Sequence, residues 1–392
     1  MDAFSDVRHG GEYIPLGLRL AHTGNIGGVI DARNLPELPN LMIAGPGELH
    51  DEDLAVLGHQ VIAHYGDTWT ELHRQTLESL GTILGSGRLP YLIPGSGTTA
   101  MEMAIVNLFE PGQRVLIADT GFFGNRLKEI ADAVGLETSI LPVEVGAPID
   151  AEKIADAADG HDGVLTVHVD TSTGVCHPIA EIAKAAHEAG AAYVVDGIAS
   201  AGGDPVDVDG MGLDAFVTGS QKGLESPPGL GIVVLGKSGA KRIAERSAPP
   251  ATWCLSIAVW DKFRDEWGAW HPHPVTMPTN LVLAMASSLK RILDVGIDRW
   301  TTDRRELARY CRQQLEGLGL KPVPQPGHEA SLVVAVWTDR MKELQKHLLE
   351  KQIMVSGGLG PTHDKAIRVG LMGRGANKQM VDRLIAGISE VL

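Results

Sequence analysis

A single lysine, Lys222, lies among small residues in the stretch 218–224, directly after the largely apolar residues 214–217. We interpret the apolar residues as a buried strand that delivers the lysine into a loop of glycine and serine. A buried ammonium group must be paired or lose its proton, and a desolvated lysine amine can attack an aldehyde to form a Schiff base. The alternative is a surface turn with a solvated lysine. Other parts of the chain must decide between the two.

A glycine turn at residues 95–100 follows an apolar strand and opens a predicted helix. Its candidate phosphate ligands are Ser96, Gly97 and Thr98, because free backbone N–H groups at a helix N-terminus, with hydroxyls alongside, bind phosphate. The turn also fits the dinucleotide pattern G-x-G-x-x-A, with Asp119 where a ribose-binding acid would lie. By itself the turn therefore leaves a nicotinamide-dependent oxidoreductase as an open alternative.

Asp196 ends another apolar run, residues 192–195, and precedes Gly197 and Ile198. Such an aspartate is either a turn or capping residue or a carboxylate that holds a protonated heteroaromatic nitrogen. Lys222 follows the next apolar run, so two neighbouring strands would present the acid and the lysine at one edge of a sheet. The phosphate turn, the acid and the lysine together predict a pocket for pyridoxal 5′-phosphate (PLP). A nicotinamide enzyme has no need of the lysine.

On these motifs the chain resembles the fold-type I PLP enzymes of aminotransferase class V, and within them the alanine–glyoxylate and serine–pyruvate aminotransferase group. The matches extend from Gly45-Pro46-Gly47 to Arg368 and are most specific at residues 219–222 with the Pro-Pro-Gly that follows. The resemblance implies that Lys222 forms the Schiff base with PLP and carries the proton during transfer. It also implies cofactor contacts from Ser96, Gly97, Thr98, Asp196, Ile198 and Gln221.

Further cofactor contacts are implied by the same resemblance. Phe123 occupies the position where the family places an aromatic side chain, commonly tryptophan, over the cofactor ring. The family's Glu-Ser-Ser-Thr-Gly appears as residues 170–174, so Ser172 or Thr173 would reach the phenolic oxygen of PLP. His273 and Thr276 resemble the segment that crosses from the partner subunit to the phosphate, which implies a homodimer with shared active sites.

Substrate binding is implied chiefly for Arg368, since a planar guanidinium binds a carboxylate through two hydrogen bonds. The alternatives are a structural ion pair at Arg368 or a substrate contact from Arg374. Gly47 and Tyr65 are further candidates for substrate contacts. The predicted substrates are a small amino acid and a small 2-oxo acid such as glyoxylate or pyruvate. A PLP-dependent lyase or elimination enzyme acting on a small amino acid or aminophosphonate is the alternative reaction.

A cysteine desulfurase, a metal site and a non-catalytic binding module are each disfavoured. A cysteine desulfurase needs a mobile cysteine in its small domain, whereas Cys311 lies within a predicted helix, residues 302–318. A metal site is not expected at His271 and His273, because no carboxylate lies at metal-site spacing. A non-catalytic binding module would not need both a lysine and a carboxylate at strand ends.

The elements that must position these residues are alternating apolar strands and helices, which predict an α/β fold. Continuous Val/Ile/Leu runs with helices between them indicate a mostly parallel, doubly wound sheet covered on both faces. We predict an N-terminal arm at residues 1–40, a large PLP-binding domain at 41–280 and a smaller α+β domain at 281–392.

Composition narrows the possible partners and location. The 392 residues are 44% hydrophobic and carry a net charge of −15, which argues against nucleic acid or an anionic membrane as partner. The three cysteines show no C-x-x-C spacing, which fits a reducing compartment. No signal peptide and no apolar run of about 20 residues is evident. We therefore expect a cytoplasmic protein.

Overall fold

The computed structural model describes residues 38–392, so almost all of the predicted N-terminal arm lies outside the described residues. The strands of the described residues are β1 (Asn40–Met42), β2 (Tyr91–Pro94), β3 (Arg114–Asp119), β4 (Glu137–Pro142), β5 (Gly163–Val167), β6 (Val169–Asp170), β7 (Val175–Cys176), β8 (Ala192–Asp196), β9 (Ala215–Gly219), β10 (Leu230–Leu235), β11 (Lys321–Pro322), β12 (Val333–Trp337), β13 (Ile353–Gly357) and β14 (Ala366–Gly370). The helices are α1 (Asp51–Leu57), α2 (Asp67–Leu84), α3 (Gly97–Leu108), α4 (Phe122–Ala133), α5 (Ala151–Ala157), α6 (Ile179–Glu188), α7 (Lys237–Ala244), α8 (Ile257–Trp267), α9 (Thr279–Val295), α10 (Ile297–Gly317), α11 (Met341–Glu350) and α12 (Lys378–Ser389).

Seven strands form the larger sheet in the order β2-β10-β9-β8-β5-β3-β4. Its strands are parallel except β10, which runs antiparallel to both β2 and β9. Strands β5, β8, β9 and β10 are buried along their whole length, as expected for a sheet covered by helices on both faces. The prediction of a mostly parallel α/β sheet is confirmed.

The direction of β10 follows from its connection to β9. Parallel neighbours need a crossover of a dozen or more residues, usually a helix. Residues 220–229 between β9 and β10 contain no helix. The chain therefore turns back, and the turn holds Lys222 close to the carboxyl end of β9.

The smaller sheet has the order β1-β13-β14-β12-β11, with β1 parallel to β13 and the other pairs antiparallel. Its core contains Met42 from β1 together with Cys311 and Leu315 from α10. Burial raises the pKa of the Cys311 thiol to about 12, so this cysteine is a core residue and not a mobile nucleophile. None of the helices in residues 38–392 is both long and apolar enough to cross a membrane.

The two hydrophobic cores meet along α10. Met285 and Leu289 of α9 and Trp300 at the start of α10 belong to the core of the seven-stranded sheet. Ala308 and Cys311, further along α10, belong to the core of the five-stranded sheet. A division of the chain near residue 280 stays a prediction. The packing supports a proposed boundary within α10, since α9 shares the core of the larger sheet.

Candidate active site

Lys222 lies in the turn between β9 and β10, and its ammonium donates a hydrogen bond to the carbonyl of Ala44. The side chain passes over Gly45, where a Cβ atom would stand 2.5 Å from both Cδ and Nζ of the lysine. Glycine is needed there, both for this close approach and for its φ of +99°. Burial, helped by the positive charge of Arg368, lowers the pKa of Lys222 to about 8. These features do not fit a solvated surface turn.

Asp196 ends β8, in register with Val217 of the parallel neighbour β9, so it shares a sheet edge with the turn that holds Lys222. Its Oδ1 accepts a hydrogen bond from the backbone N–H of Ile198 at 2.9 Å. Burial raises the pKa of Asp196 to about 7, although Lys222 and Arg126 act in the opposite direction. A protonated pyridine nitrogen beside this carboxylate would remove the cost of keeping it charged.

The glycine turn forms the start of α3, as predicted. Ser96 is the N-cap, and its Oγ accepts a hydrogen bond from the N–H of Thr99 at 3.4 Å. The first turn of a helix leaves backbone N–H groups without intrahelical acceptors. At Gly97 a Cβ atom would stand 2.3 Å from Cδ1 of Ile198, so a side chain there would fill the space in front of the helix. These N–H groups suit a phosphate.

Gln221 adds a buried amide to the same place. Its Oε1 is buried and has no hydrogen-bond partner among the described residues. Unsatisfied buried amide oxygens are rare, and with the amide turned over its NH₂ group would stand at this place and could donate to a phosphate oxygen. The residues present therefore fit PLP at three points: an amine for the aldehyde, an acid for the ring nitrogen and donors for the phosphate.

The structure brings these residues together around one cavity of about 170 Å³. Eight predicted residues line it, namely Ser96, Gly97, Thr98, Phe123, Asp196, Ile198, Gln221 and Lys222. Five further lining residues were not selected from the sequence, namely Met101, Arg126, Val169, Thr171 and Ala199. Arg126 had a sequence signal, because it lies three residues after Phe123 on the same helix. Its guanidinium stands 5.3 Å from the centre of the Phe123 ring.

Thr171, and neither Ser172 nor Thr173, lines this cavity. The hydroxyl of Ser172 instead donates to Oδ1 of Asp170 at 2.6 Å, and Thr173 is fully buried beside the same loop. Asp170 is itself buried and also accepts a hydrogen bond from Thr120. Ser172 and Thr173 therefore stabilise the turn, and Thr171 is the residue of this loop that lines the cavity.

Arg368 is buried on β14 and is held by two backbone carbonyls. Its Nε donates to Gly357 at 2.7 Å and its Nη1 to Thr171 at 2.9 Å. No described residue accepts a hydrogen bond from Nη2. Burial lowers the pKa of Arg368 to about 10, which still leaves it charged at neutral pH. The arginine is thus fixed and retains a donor for a carboxylate.

Arg374 is a surface residue with carboxylate partners of its own. Its Nη1 contacts Asp51 at 2.8 Å, and its Nε lies 3.9 Å from Glu48. Its side chain is 56% exposed. Of the two arginines considered from the sequence, only Arg368 is buried beside the residues that line the cavity.

The remaining predicted residues do not line the cavity. The N–H of Gly47 donates to the carbonyl of Gln221 at 3.2 Å, next to the lysine turn. Tyr65 and Thr276 are exposed. His273 is fully buried. Gly47 and Tyr65 stay predicted substrate contacts, and Thr276 stays a predicted cofactor contact.

His273 uses both ring nitrogens within its own chain. Nδ1 donates to the carbonyl of Val275 at 2.7 Å, and Nε2 accepts a hydrogen bond from the indole N–H of Trp69 at 2.8 Å. Neither nitrogen is left for a cofactor phosphate, so the predicted contact from this side chain is not supported. The cluster formed with His64 and His271 is compact enough for a metal ion. His273 has no free lone pair to offer, and we propose no metal there.

Replacing Asp196 by asparagine should stabilise the cofactor-free protein at high pH and weaken cofactor binding. The raised pKa means that folding favours the protonated acid, so this stabilisation is present at low pH and is lost as the pH rises towards 7. Each unit of difference in pKa corresponds to about 1.4 kcal/mol, so we expect Asp196→Asn to gain roughly 1–4 kcal/mol at pH 8 and little at pH 4. Urea unfolding of the cofactor-free proteins at both pH values measures this. Equal stabilities at pH 8 would contradict the burial argument.

Comparison with known proteins identifies the family of this chain. The profile of the family described as aminotransferase class-V matches residues 51–384. An alanine–glyoxylate aminotransferase of Oryctolagus cuniculus is 28% identical over 367 residues, covering 90% of this chain and 93% of the relative. A solved alanine–glyoxylate aminotransferase from Nostoc sp. superposes with a TM-score of 0.86 at 28% identity, covering 93% and 99% of the two chains. A ureidoglycine–glyoxylate aminotransferase from Bacillus subtilis gives 0.85 at 26% identity, covering 91% and 93%.

Proposed function

The chain belongs to the class V aminotransferases, which are PLP-dependent transaminases, and on this premise we propose that Lys222 forms the Schiff base with PLP. We further propose that the protein moves an amino group from a small amino acid to a small 2-oxo acid, with glyoxylate or pyruvate as the acceptor. The observation that carries the proposal is the cavity that joins Lys222, Asp196 and the start of α3. A nicotinamide cofactor, considered from the glycine turn alone, would leave the lysine unexplained.

Each residue has a separate task. When bound, PLP supplies the electron sink that stabilises negative charge at the substrate α-carbon. Asp196 would hold the protonated pyridine nitrogen, and the N-terminus of α3 with Gln221 would hold the phosphate. Phe123 lines the cavity at the position where an aromatic ring would stack on the cofactor, and Thr171 would take the place predicted for Ser172 or Thr173.

The proton transfer would depend on Lys222 and Arg368. A lysine whose pKa is about 8 has a substantial fraction of neutral amine at physiological pH, so Nζ can accept the proton from the α-carbon and return it at the next position. Nη2 of Arg368 would bind the substrate carboxylate and orient the α-carbon towards Nζ. Both groups are fixed by the fold before substrate arrives.

The small 2-oxo acid is supported by the relatives. The three relatives described above carry glyoxylate in their names, two of them with alanine and one with ureidoglycine. The test is to add single amino acids to the PLP-loaded enzyme and follow loss of its visible absorption. Donors that leave the spectrum unchanged are excluded.

The lyase alternative makes a different prediction in the same assay. An elimination would release ammonia from the amino acid without any 2-oxo acid present, whereas transfer consumes both substrates in equal amounts. We expect keto product only in proportion to added glyoxylate or pyruvate. Ammonia release without an acceptor would favour the lyase.

We also propose a homodimer with shared active sites. Trp253, Trp267 and Trp270 are each about half exposed, and Tyr65 lies 5.2 Å from Trp270 between ring centres. Contiguous exposed aromatic side chains are unusual on a monomer and are typical of protein interfaces. Thr276 is also exposed and lies close to Trp270 in the sequence. In the proposed dimer it would face the cofactor of the other subunit. Sedimentation of the PLP-loaded protein tests the dimer, and a monomer that is fully active would contradict it.

The pH dependence of cofactor uptake should report the lysine. Only the neutral amine attacks an aldehyde, so the rate of PLP uptake by cofactor-free protein should rise with pH and level off above about 8. An ordinary lysine would still be gaining reactivity at pH 10. Asp196→Asn should move the midpoint lower, since the negative charge of Asp196 raises the pKa of Lys222. Stopped-flow absorbance measures the rate, and a midpoint near 10.5 would contradict the prediction.

A further inference from the structure

A second cavity, of about 550 Å³, is lined in part by the β6–β7 hairpin, which also contributes to the active-site cavity. Val169 of β6 lines the active-site cavity, and its partner in register, Cys176 of β7, lines the second one. The remaining wall comes from the start of α6, from α10 and from residues 327–330. None of these residues has a part in the chemistry proposed above.

Three arginines of α10 line this cavity: Arg305, Arg309 and Arg312. Spacings of four and three residues put them on one face of the helix. Arg312 lies 3.5 Å from the carboxylate of Glu329. Arg305 and Arg309 have no hydrogen bond or ion pair with any described residue. Both arginines are exposed residues, and two guanidinium groups without protein partners on the wall of one cavity can bind an anion together.

A buried histidine adds an independent donor. His177 is 2% exposed and lines the cavity. Its Nδ1 accepts a hydrogen bond from the N–H of Ile149 at 3.1 Å, so the ring hydrogen of the neutral imidazole lies on Nε2. Burial lowers the pKa of His177 to about 3, which keeps the ring neutral. Nε2 has no partner among the described residues. A buried donor without an acceptor costs free energy. Nε2 of His177 is therefore available to donate to an acceptor atom of a ligand.

Three acids also line the cavity and limit the charge of the ligand. Glu329 faces Arg312, Asp204 accepts hydrogen bonds from the N–H and hydroxyl of Ser331, and Glu181 lies at the start of α6. Burial raises the pKa of Asp204 to about 6. A phosphate with two negative charges would be repelled by these groups. A singly charged carboxylate fits the unpaired donors better.

We propose that this cavity binds the carboxylate of a small organic acid through Arg305, Arg309 and Nε2 of His177. The guanidinium groups form hydrogen bonds to the two oxygens, and the histidine supplies a neutral donor deeper in the wall. The organic acid is either an amino acid or a 2-oxo acid, since both carry the same group. This site is separate from Arg368 and does not depend on the proposed reaction.

The test is calorimetric titration of the PLP-loaded enzyme with pyruvate, with 2-methylalanine, which has no α-hydrogen to transfer, and with inorganic phosphate. Wild type should bind at least one of the two carboxylates at two sites per chain. Arg305→Gln/Arg309→Gln should lose one site, with affinity there falling at least tenfold, and Arg368→Gln should keep that site. Arg299→Gln is the matched control, because Arg299 is an exposed residue of α10 that pairs with Asp303 and does not line the cavity.

The outcomes are distinct. Retention of both sites in Arg305→Gln/Arg309→Gln would overturn the proposal, as would an equal loss in Arg299→Gln. Binding of phosphate but of neither carboxylate would overturn the assignment of the ligand. Whether pyruvate or 2-methylalanine loses its second site in the double variant identifies the class of organic acid.

Discussion

Replacing Lys222 by alanine should reduce transamination by about 10⁴-fold, the upper end of what a positioned acid–base group contributes. The variant loses the amine whose pKa the fold lowers to about 8. In the proposed mechanism this amine both binds PLP covalently and moves the proton. The cavity should still accept PLP without a covalent bond, because Asp196 and the start of α3 remain. Steady-state rates with the best donor and acceptor measure the loss.

Borohydride reduction separates the covalent role from a general loss of structure. Wild type should yield one reduced, PLP-labelled peptide containing residue 222, and Lys222→Ala should yield none. Lys237→Ala is the matched control, since Lys237 is an exposed residue at the start of α7 and should keep full activity and labelling. A labelled peptide from another part of the chain would overturn the assignment of Lys222.

Replacing Arg368 by glutamine should raise KM for both the amino acid and the 2-oxo acid by roughly 10²-fold or more. A hydrogen bond to a charged group contributes about 1.5–3 kcal/mol, and a carboxylate would lose at least one such bond together with the charge. Since kcat also depends on the orientation of the α-carbon, it should fall as well. Steady-state kinetics with each substrate varied in turn measures both constants.

Arg374→Gln is the control for this variant. Arg374 is exposed and paired with Asp51, so its replacement should change stability by less than about 0.5 kcal/mol and leave KM unchanged. Arg368 also donates to the carbonyls of Gly357 and Thr171, so Arg368→Gln will lower stability. Arg368→Lys keeps a positive charge but loses the planar fork, and an intermediate KM is expected. If Arg374→Gln raised KM more than Arg368→Gln, the assignment of the carboxylate site would be wrong.

Much of the site was readable in the sequence because its parts are local. Asp196 follows a continuous apolar run, and such runs are buried parallel strands whose ends meet at one edge. The phosphate turn combines glycine, a capping serine and the start of a helix within six residues, 95–100. A lysine placed after the neighbouring strand then has to face the same cavity. These inferences need only the direction of the strands.

Other parts of the site were decided by contacts between residues far apart in the chain. Thr171, Ser172 and Thr173 offer similar hydroxyls in one turn, and the hydrogen bond from Ser172 to Asp170 determines which of them faces the cavity. His273 was predicted to contact the phosphate, but its Nε2 accepts a hydrogen bond from Trp69, which is distant in the sequence. Periodicity cannot resolve such cases, because each depends on where another element lies.

The sequence by itself predicted that Asp196 and Lys222 lie together at the ends of neighbouring strands, since residue type and strand position were sufficient for that placement. The resemblance favoured Arg368 over Arg374, but only the tertiary structure supplied a physical reason, since the two lie on one short segment and carry the same group. One is buried between two backbone carbonyls, and the other is paired with surface acids. The second cavity, which α10 and the β6–β7 hairpin line together, also exists only in the tertiary structure. A guanidinium group acquires its function from its partners, and these are fixed when distant segments pack together.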